Sequence, residues 1–217
     1  MINKTYKRIH NKYSTFFKFI FFLRYLFVIF LIFIALFLII PNFFDYKKKD
    51  GIIKNYLLKS YDLELNNYDN IKFHSLPTPN LEFQNASINF KSTNVNLKTQ
   101  SLVIYPELVK IYNYENFEAK KIIFNNSKIS IKENELKVLS NYIYKLKNKL
   151  VFNDLDLKIS RENLSIIKLK KINYSNFGYR SNIITGEAFN RKFKTILKNN
   201  FTKINFKLLN AGISINL

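Results

Sequence analysis

NIKFHSLPTPNLEFQNASINF, residues Asn70–Phe90, holds two runs of alternating apolar and polar residues with a pair of prolines between them. Ile71 and Phe73 share one side of the first run. In the second, Leu81 and Phe83 share a side, and so do Ala86, Ile88 and Phe90. A period of two predicts strands with one apolar face. Proline brings no N–H to a ladder, so Pro77 and Pro79 predict an interruption or an edge. The expected order is a strand, a stiff kink and a second strand. Parity slips by one between Phe83 and Ala86, which predicts a bulge or a tight turn at Gln84–Asn85.

The same alternation continues downstream. Val95 and Leu97 read as one short strand, and Leu102 and Ile104 as another. Pro106 suits a first helical position and predicts a short helical turn over Glu107–Tyr112. AKKIIFNNSKISI, residues 119–131, reads as a hairpin turning at Asn125–Asn126. Leu155, Leu157 and Ile159 alternate with polar residues, as do Ile204, Phe206 and Leu208, and then Ile213, Ile215 and Leu217. One helix interrupts the strands at about Asn134–Leu150, where Leu136, Leu139, Ile143, Leu146 and Leu150 form one stripe. These features predict a mainly β chain with a helix. Its antiparallel sheet either closes into a sandwich or curves and leaves its apolar face as an open groove under one covering helix. Periodicity is compatible with both.

Upstream, Tyr25–Phe44 carries no charge, and fourteen of the fifteen residues of Leu26–Ile40 are Leu, Ile, Phe or Val. At −0.3 to −0.6 kcal/mol each, insertion gains about 4–8 kcal/mol. About twenty residues span a bilayer core, and no small-residue cleavage motif follows. The organisation expected is a basic tail (1–24), a transmembrane helix (25–44), an amphipathic connector (45–62) and a β-rich domain (63–217). The connector either lies along the membrane or packs on the domain. Residues 1–24 hold six basic side chains and no acid, which predicts a cytoplasmic N-terminus with the β-rich domain outside.

Composition narrows the chemistry. The formal charge is +20, yet the basic residues are scattered and form no nucleic-acid motif, so a surface facing anionic lipid headgroups fits at least as well as nucleic acid, and no nucleic-acid partner is expected. The chain has no cysteine, so it forms no disulfide and offers no thiolate to a metal. Its four glycines form no phosphate loop. His10 falls in the tail and His74 beside the prolines. Asp154 and Asp156 share the polar side of a strand; paired carboxylates can serve as acid and base or bind a hard cation, but these read as solvated charge among lysines. No catalytic, metal or cofactor site is expected, and no enzyme.

The order of tail, span, connector and strands resembles the N-terminal part of AsmA-like proteins of the bacterial envelope. The match rests on Pro79, Leu81, Phe83 and Asn85, where a proline bend runs into an apolar-x-apolar-x-Asn strand, and on the paired strands of Ala119–Ile131. It covers about 45–217. The resemblance implies an inner-membrane anchor, a periplasmic bent sheet with an apolar lining, and a part in phospholipid transport and outer-membrane assembly or integrity. The implied lining comprises Leu81, Phe83, Ile88, Phe90, Leu155, Leu157, Ile159, Ile204 and Phe206. The kink at Pro77–Pro79 would let the sheet curl. Family members are usually longer, and this chain stops on an apolar strand. Against the family pattern two expectations arise: a truncated copy, or a piece whose open terminal strand pairs with an envelope partner. Two alternatives remain: the bitopic subunit of lipopolysaccharide export, a jellyroll without the helix, and an envelope scaffold that recruits partners by strand addition.

Overall fold

The computed structural model describes residues 14–91, 93, 95–112, 114–162, 164–181, 183–198 and 203–216. Residues 1–13 of the basic tail and Leu217 lie outside the described residues. The chain forms two compact units, 1–44 and 45–217.

In the first unit, α1 runs over Ser14–Ile39 and passes into a 3-10 turn, Ile40–Phe43, with Pro41 in its opening turn. The helix is long and apolar enough to cross a membrane, and carries no charge after Arg24. It starts earlier than the expected span, so Lys18 and Arg24 lie on it. Asn42 closes it by donating Nδ2–H to the Ile39 carbonyl at 3.0 Å.

The second unit is one open, curved sheet with two helices. It begins with α2, Asp50–Tyr61. Asp50 sits in the first turn, where a carboxylate offsets the exposed N–H groups. It also accepts a hydrogen bond from the Tyr68 hydroxyl at 2.8 Å. The Lys54 and Tyr68 partners hold its pKa below the usual carboxylate value. α2 ends where Asp62 turns left-handed, φ 53°. Its apolar residues Ile53, Leu57 and Tyr61 are buried in the unit, so the connector packs on the domain.

The strands follow: β1 Leu63–Asn67, β2 Asn70–His74, β3 Asn80–Phe90, β4 Asn96–Pro106, β5 Ala119–Lys132, β6 Leu150–Arg161, β7 Leu164–Ser175, β8 Ile183–Ala188, β9 Arg191–Lys198, β10 Lys203–Leu208 and β11 Ile213–Asn216. The third helix, α3, spans Glu133–Lys145 between β5 and β6. The spatial order is β1, β3, β4, β5, β6, β7, β8, β9, β10, β11, and β2 also pairs with β3. One expectation fails here. The sheet is not antiparallel throughout, because β5 and β6 run parallel over ten register positions from Ile122–Leu150 to Lys132–Ser160. Parallel neighbours need a crossover long enough to return the chain to its starting end, and α3 supplies it.

The prolines also play a different part from the one expected. β2 and β3 pair antiparallel from Asn70–Gln84 to His74–Asn80, so Pro77 and Pro79 occupy the loop of a hairpin and do not kink a strand. A seam of left-handed residues crosses the sheet instead. Asn85, Asn126, Asp154 and Lys171 all have φ between 49° and 61°, and they fall on β3, β5, β6 and β7. Burial shifts parity at that line on each of these strands: Phe83 then Ala86, Phe124 then Ser127, Phe152 then Leu155. β4 slips with them, between Thr99 and Leu102. A slip on one strand alone would turn its apolar set to the polar face. A slip on every strand keeps one apolar face across the sheet.

The expected hairpin at Asn125–Asn126 is thus a bulge inside one continuous strand, and the two short strands expected around Thr99–Ser101 are the single strand β4. Polar side chains link the seam. Asn153 donates to Asn125 Oδ1 at 2.9 Å, and Asn126 donates to Gln100 Oε1 at 3.0 Å. On the buried side, Ser127 donates to Thr99 Oγ1 at 2.9 Å, and Thr99 to the Asn125 carbonyl at 2.8 Å. A left-handed backbone costs a residue with a branched Cβ about 1–2 kcal/mol. Asn126→Val is therefore expected to be less stable than Asn126→Gly by about that amount, read as the difference in urea midpoints. Equal midpoints would mean that the bulge does not hold position 126 left-handed.

Candidate functional site

Strand register builds the site as a row of residues that crosses the sheet. Ile71 opposes Phe83, Phe83 opposes Leu102, Leu102 opposes Phe124, Phe124 lies beside Phe152, and Phe152 opposes Tyr174. The Asn173–Thr185 pair sets Ile184 next to Tyr174. Ile184 opposes Thr195, and Thr195 opposes Phe206. The row thus runs from β2 to β10 with no charged residue in it.

The first half of the row is closed. Phe83, Leu102 and Phe124 are fully buried, as are Ile53 and Leu57 of α2. Tyr68 meets Phe83 edge-on at 5.1 Å, and Phe124 stacks on Phe152 at 5.1 Å. The Tyr61 hydroxyl donates to the Lys149 carbonyl at 3.3 Å, and burial pushes its pKa up. The Tyr142 hydroxyl donates to the Tyr61 carbonyl, and the Tyr142 ring meets Phe90 edge-on at 5.2 Å. These contacts bring α3 beside α2. Further support comes from Glu135, whose carboxylate accepts the Lys132 N–H at 2.7 Å and starts the helix. Asn176 donates to the carbonyls of Leu146 at 3.2 Å and Asn148 at 2.8 Å, which ties down the return from α3 to β6.

The second half of the row is open beneath α3. A cavity of about 340 Å³ lies there. Leu136, Leu139 and Ile143 of α3 form one wall. Leu155, Leu157 and Ile159 of β6 form another, and Leu169 and Ile172 of β7, Phe193 and Leu197 of β9 and Phe206 of β10 complete it. Among the described residues no lining residue is charged, and the only side-chain polar atoms are the hydroxyls of Ser140, Tyr174 and Thr195. Burial pushes the Tyr174 pKa up to about 12, so its hydroxyl stays protonated across the ordinary pH range.

Gly186 of β8 shapes the floor. It opposes Phe193, and a Cβ there would come within 2.9 Å of both the Lys170 carbonyl oxygen and the Phe193 ring. The bare backbone lets that ring lie across β8 and stack on Phe206 at 5.5 Å. Gly186→Ala is expected to destabilise the unit by about 1–3 kcal/mol, the usual cost of overpacking. It would also push Phe193 into the cavity. An unchanged thermal midpoint would show that the ring is not held there.

The nine sequence-expected lining residues divide. Leu155, Leu157, Ile159 and Phe206 border the cavity. Leu81, Phe83, Ile88 and Phe90 do not; they are 0–1 % exposed in the closed core, in the half of the unit where α2 buries Ile53, Leu57 and Tyr61. The side chain of Ile204 lies outside the described residues. Sequence reasoning missed Tyr174, Thr195, Leu169, Ile172, Phe193 and Leu197. The alternation of Ile172 with Tyr174, and of Phe193 with Thr195 and Leu197, was the signal available. Asp154 and Asp156 are not a pair facing a ligand. Asp154 is the left-handed bulge residue, and Asp156 accepts the Lys171 N–H at 3.2 Å. His74 Nε2 lies 3.0 Å from Glu82 Oε2. The Ser101 hydroxyl at 2.6 Å, then His74, holds the Glu82 pKa below its usual value. Among the described residues no His, Cys, Asp and Glu side chains gather as a metal site. No family model matches the sequence, and no curated protein matches it.

Proposed function

We propose that the chain is a membrane-anchored, lipid-binding β-groove protein of the AsmA-like type, acting in phospholipid movement and in outer-membrane assembly or integrity without enzymatic activity. One observation carries this reading: an uncharged apolar cavity occupies the open half of the sheet, in a chain that also holds a helix long and apolar enough to cross a membrane. Apolar space with a few polar groups is the usual form of a small-molecule site, and acyl chains match its chemistry. In this reading α1 sits in the bacterial inner membrane. The acid-free basic tail stays in the cytoplasm, and residues 45–217 lie in the periplasm. A jellyroll of the lipopolysaccharide-export kind would divide its strands between two sheets and lack α3, so the single sheet speaks for the groove.

Native mass spectrometry of the full chain, with lipid extraction, is expected to find phospholipid in stoichiometric amount. A chain that carries and takes up no lipid would sink the proposal. A reporter active only in the periplasm, fused after Leu217, should be active. Activity of a cytoplasmic reporter alone would invert the orientation. A second reading, an envelope scaffold working by strand addition, draws on β11, which among the described residues pairs with β10 alone. An exposed strand edge templates pairing with another chain. Photocrosslinking from position 214 should then capture a partner strand, and its failure to do so would remove this reading.

A further inference from the structure

Two hydroxyls in the cavity have no explained role. Tyr174 and Thr195 are 7 % and 8 % exposed, both line the cavity, and neither hydrogen-bonds to another described residue. Other interior hydroxyls among the described residues are bonded: Ser127 donates to Thr99, Thr99 donates to the Asn125 carbonyl, and Tyr61 and Tyr142 reach carbonyls. Two donors that face one apolar cavity and are spent on no described protein group are available to an acceptor that arrives from outside. They sit in the same cross-sheet row, with Ile184 of β8 between them. The acceptor must be uncharged or nearly so, because among the described residues no lysine or arginine lines the space. It must also carry an apolar body. The volume of about 340 Å³ lies at the low end of the roughly 300–1,000 Å³ usual for ligand pockets, which suits one hydrocarbon tail.

We infer that the cavity takes a single acyl tail of a diacyl phospholipid, whose ester carbonyl accepts hydrogen bonds from Tyr174 and Thr195 while the second tail and the headgroup stay outside. This rests on the lipid-groove reading and adds the mode of engagement. The hydroxyls then act as a depth stop. They reward the tail only when its carbonyl reaches the row, and they give no such reward to a ligand without that carbonyl.

The test uses the full chain held in amphipol and stripped of lipid. The probes are dipalmitoyl phosphatidylethanolamine and its diether counterpart, which keeps both tails and the headgroup but has no carbonyl. The ester is expected to bind about three- to tenfold tighter than the diether, the worth of one ordinary hydrogen bond or slightly more. Tyr174→Phe and Thr195→Val should each bring ester affinity down toward the diether value and leave diether affinity unchanged. Both changes remove only a hydroxyl that lacks a protein partner, so the lipid-free midpoint should stay level or rise. A fall in that midpoint would overturn the inference, since the hydroxyls would then be serving the fold. Equal binding of ester and diether by the parent would overturn it and leave the groove reading standing. Binding of neither would overturn both. Palmitate that displaces the phospholipid at equal concentration would overturn the diacyl assignment.

Discussion

Phe83→Asp is expected to unfold residues 45–217. Phe83 is completely buried, in a row between Ile71 and Leu102, with the edge of Tyr68 5.1 Å from its ring. Truncating a core phenylalanine costs about 3–5 kcal/mol. An aspartate there must also leave water without a partner or take up a proton, and either adds to the cost. Domains hold only about 5–15 kcal/mol in total, so the variant should lose its cooperative melt or fail to accumulate. Phe206→Asp is the informative contrast. Phe206 lies in the same cross-sheet row but borders the open cavity, where a carboxylate still reaches water. It should cost about 1–2 kcal/mol, chiefly through the lost stack on Phe193. Circular dichroism of the full chain during heating reads both. If Phe206→Asp melts as badly as Phe83→Asp, the second half of the row is closed as well, and the cavity is not accessible to a ligand.

Phe33→Arg is expected to detach the chain from the membrane in part. Phe33 sits at the middle of the uncharged run Leu26–Ile40, and its side chain is exposed on α1. An arginine at a helix centre costs roughly 3 kcal/mol on the insertion scale. That is a large share of the about 4–8 kcal/mol that the apolar residues supply. Carbonate washing of membranes should release more of the variant than of the parent. Residues 45–217 form their own compact unit, so their melting should be unaffected. Equal retention of both proteins would mean that α1 is not what holds the chain to the membrane.

Much of this architecture was readable residue by residue, and the failures share a cause. The parity slip at Gln84–Asn85 declared its bulge because apolar residues flank it on both sides. The same slip at Asn125–Asn126 was read as a turn, since a left-handed asparagine serves a hairpin and a bulge equally well. Only the partner strand distinguishes them, and Gln100, which receives the Asn126 amide, is 26 residues away. Periodicity reports which face a side chain takes and not which strand lies beside it. The parallel pairing of β5 with β6 was therefore hidden, although a helix between two strands was its clue. Most of the lining was missed for a similar reason. Leu81 and Leu155 look alike in an alternating run; what separates core from cavity is α2, which buries Ile53, Leu57 and Tyr61 in the half of the unit that holds Leu81. Tyr174 and Thr195 read as ordinary strand residues until burial left their hydroxyls without partners.

The parallel step between β5 and β6 has a consequence for how the unit assembles. β3–β5 is a meander of strands that are neighbours in the chain, and so is β6–β11. Each ribbon can zip between strands that follow one another in the chain, which is the faster kind of contact to form. Joining them is different, because Ile122 must find Leu150 across the whole α3 excursion, and that larger loop has to close first. The unit is thus two ribbons with one joint, and α3 is the splint across it. Loosening the splint, for example with Tyr142→Phe, should let the ribbons open as separate cooperative blocks. Amide exchange would show β6–β11 losing protection together while β3 and β4 keep theirs.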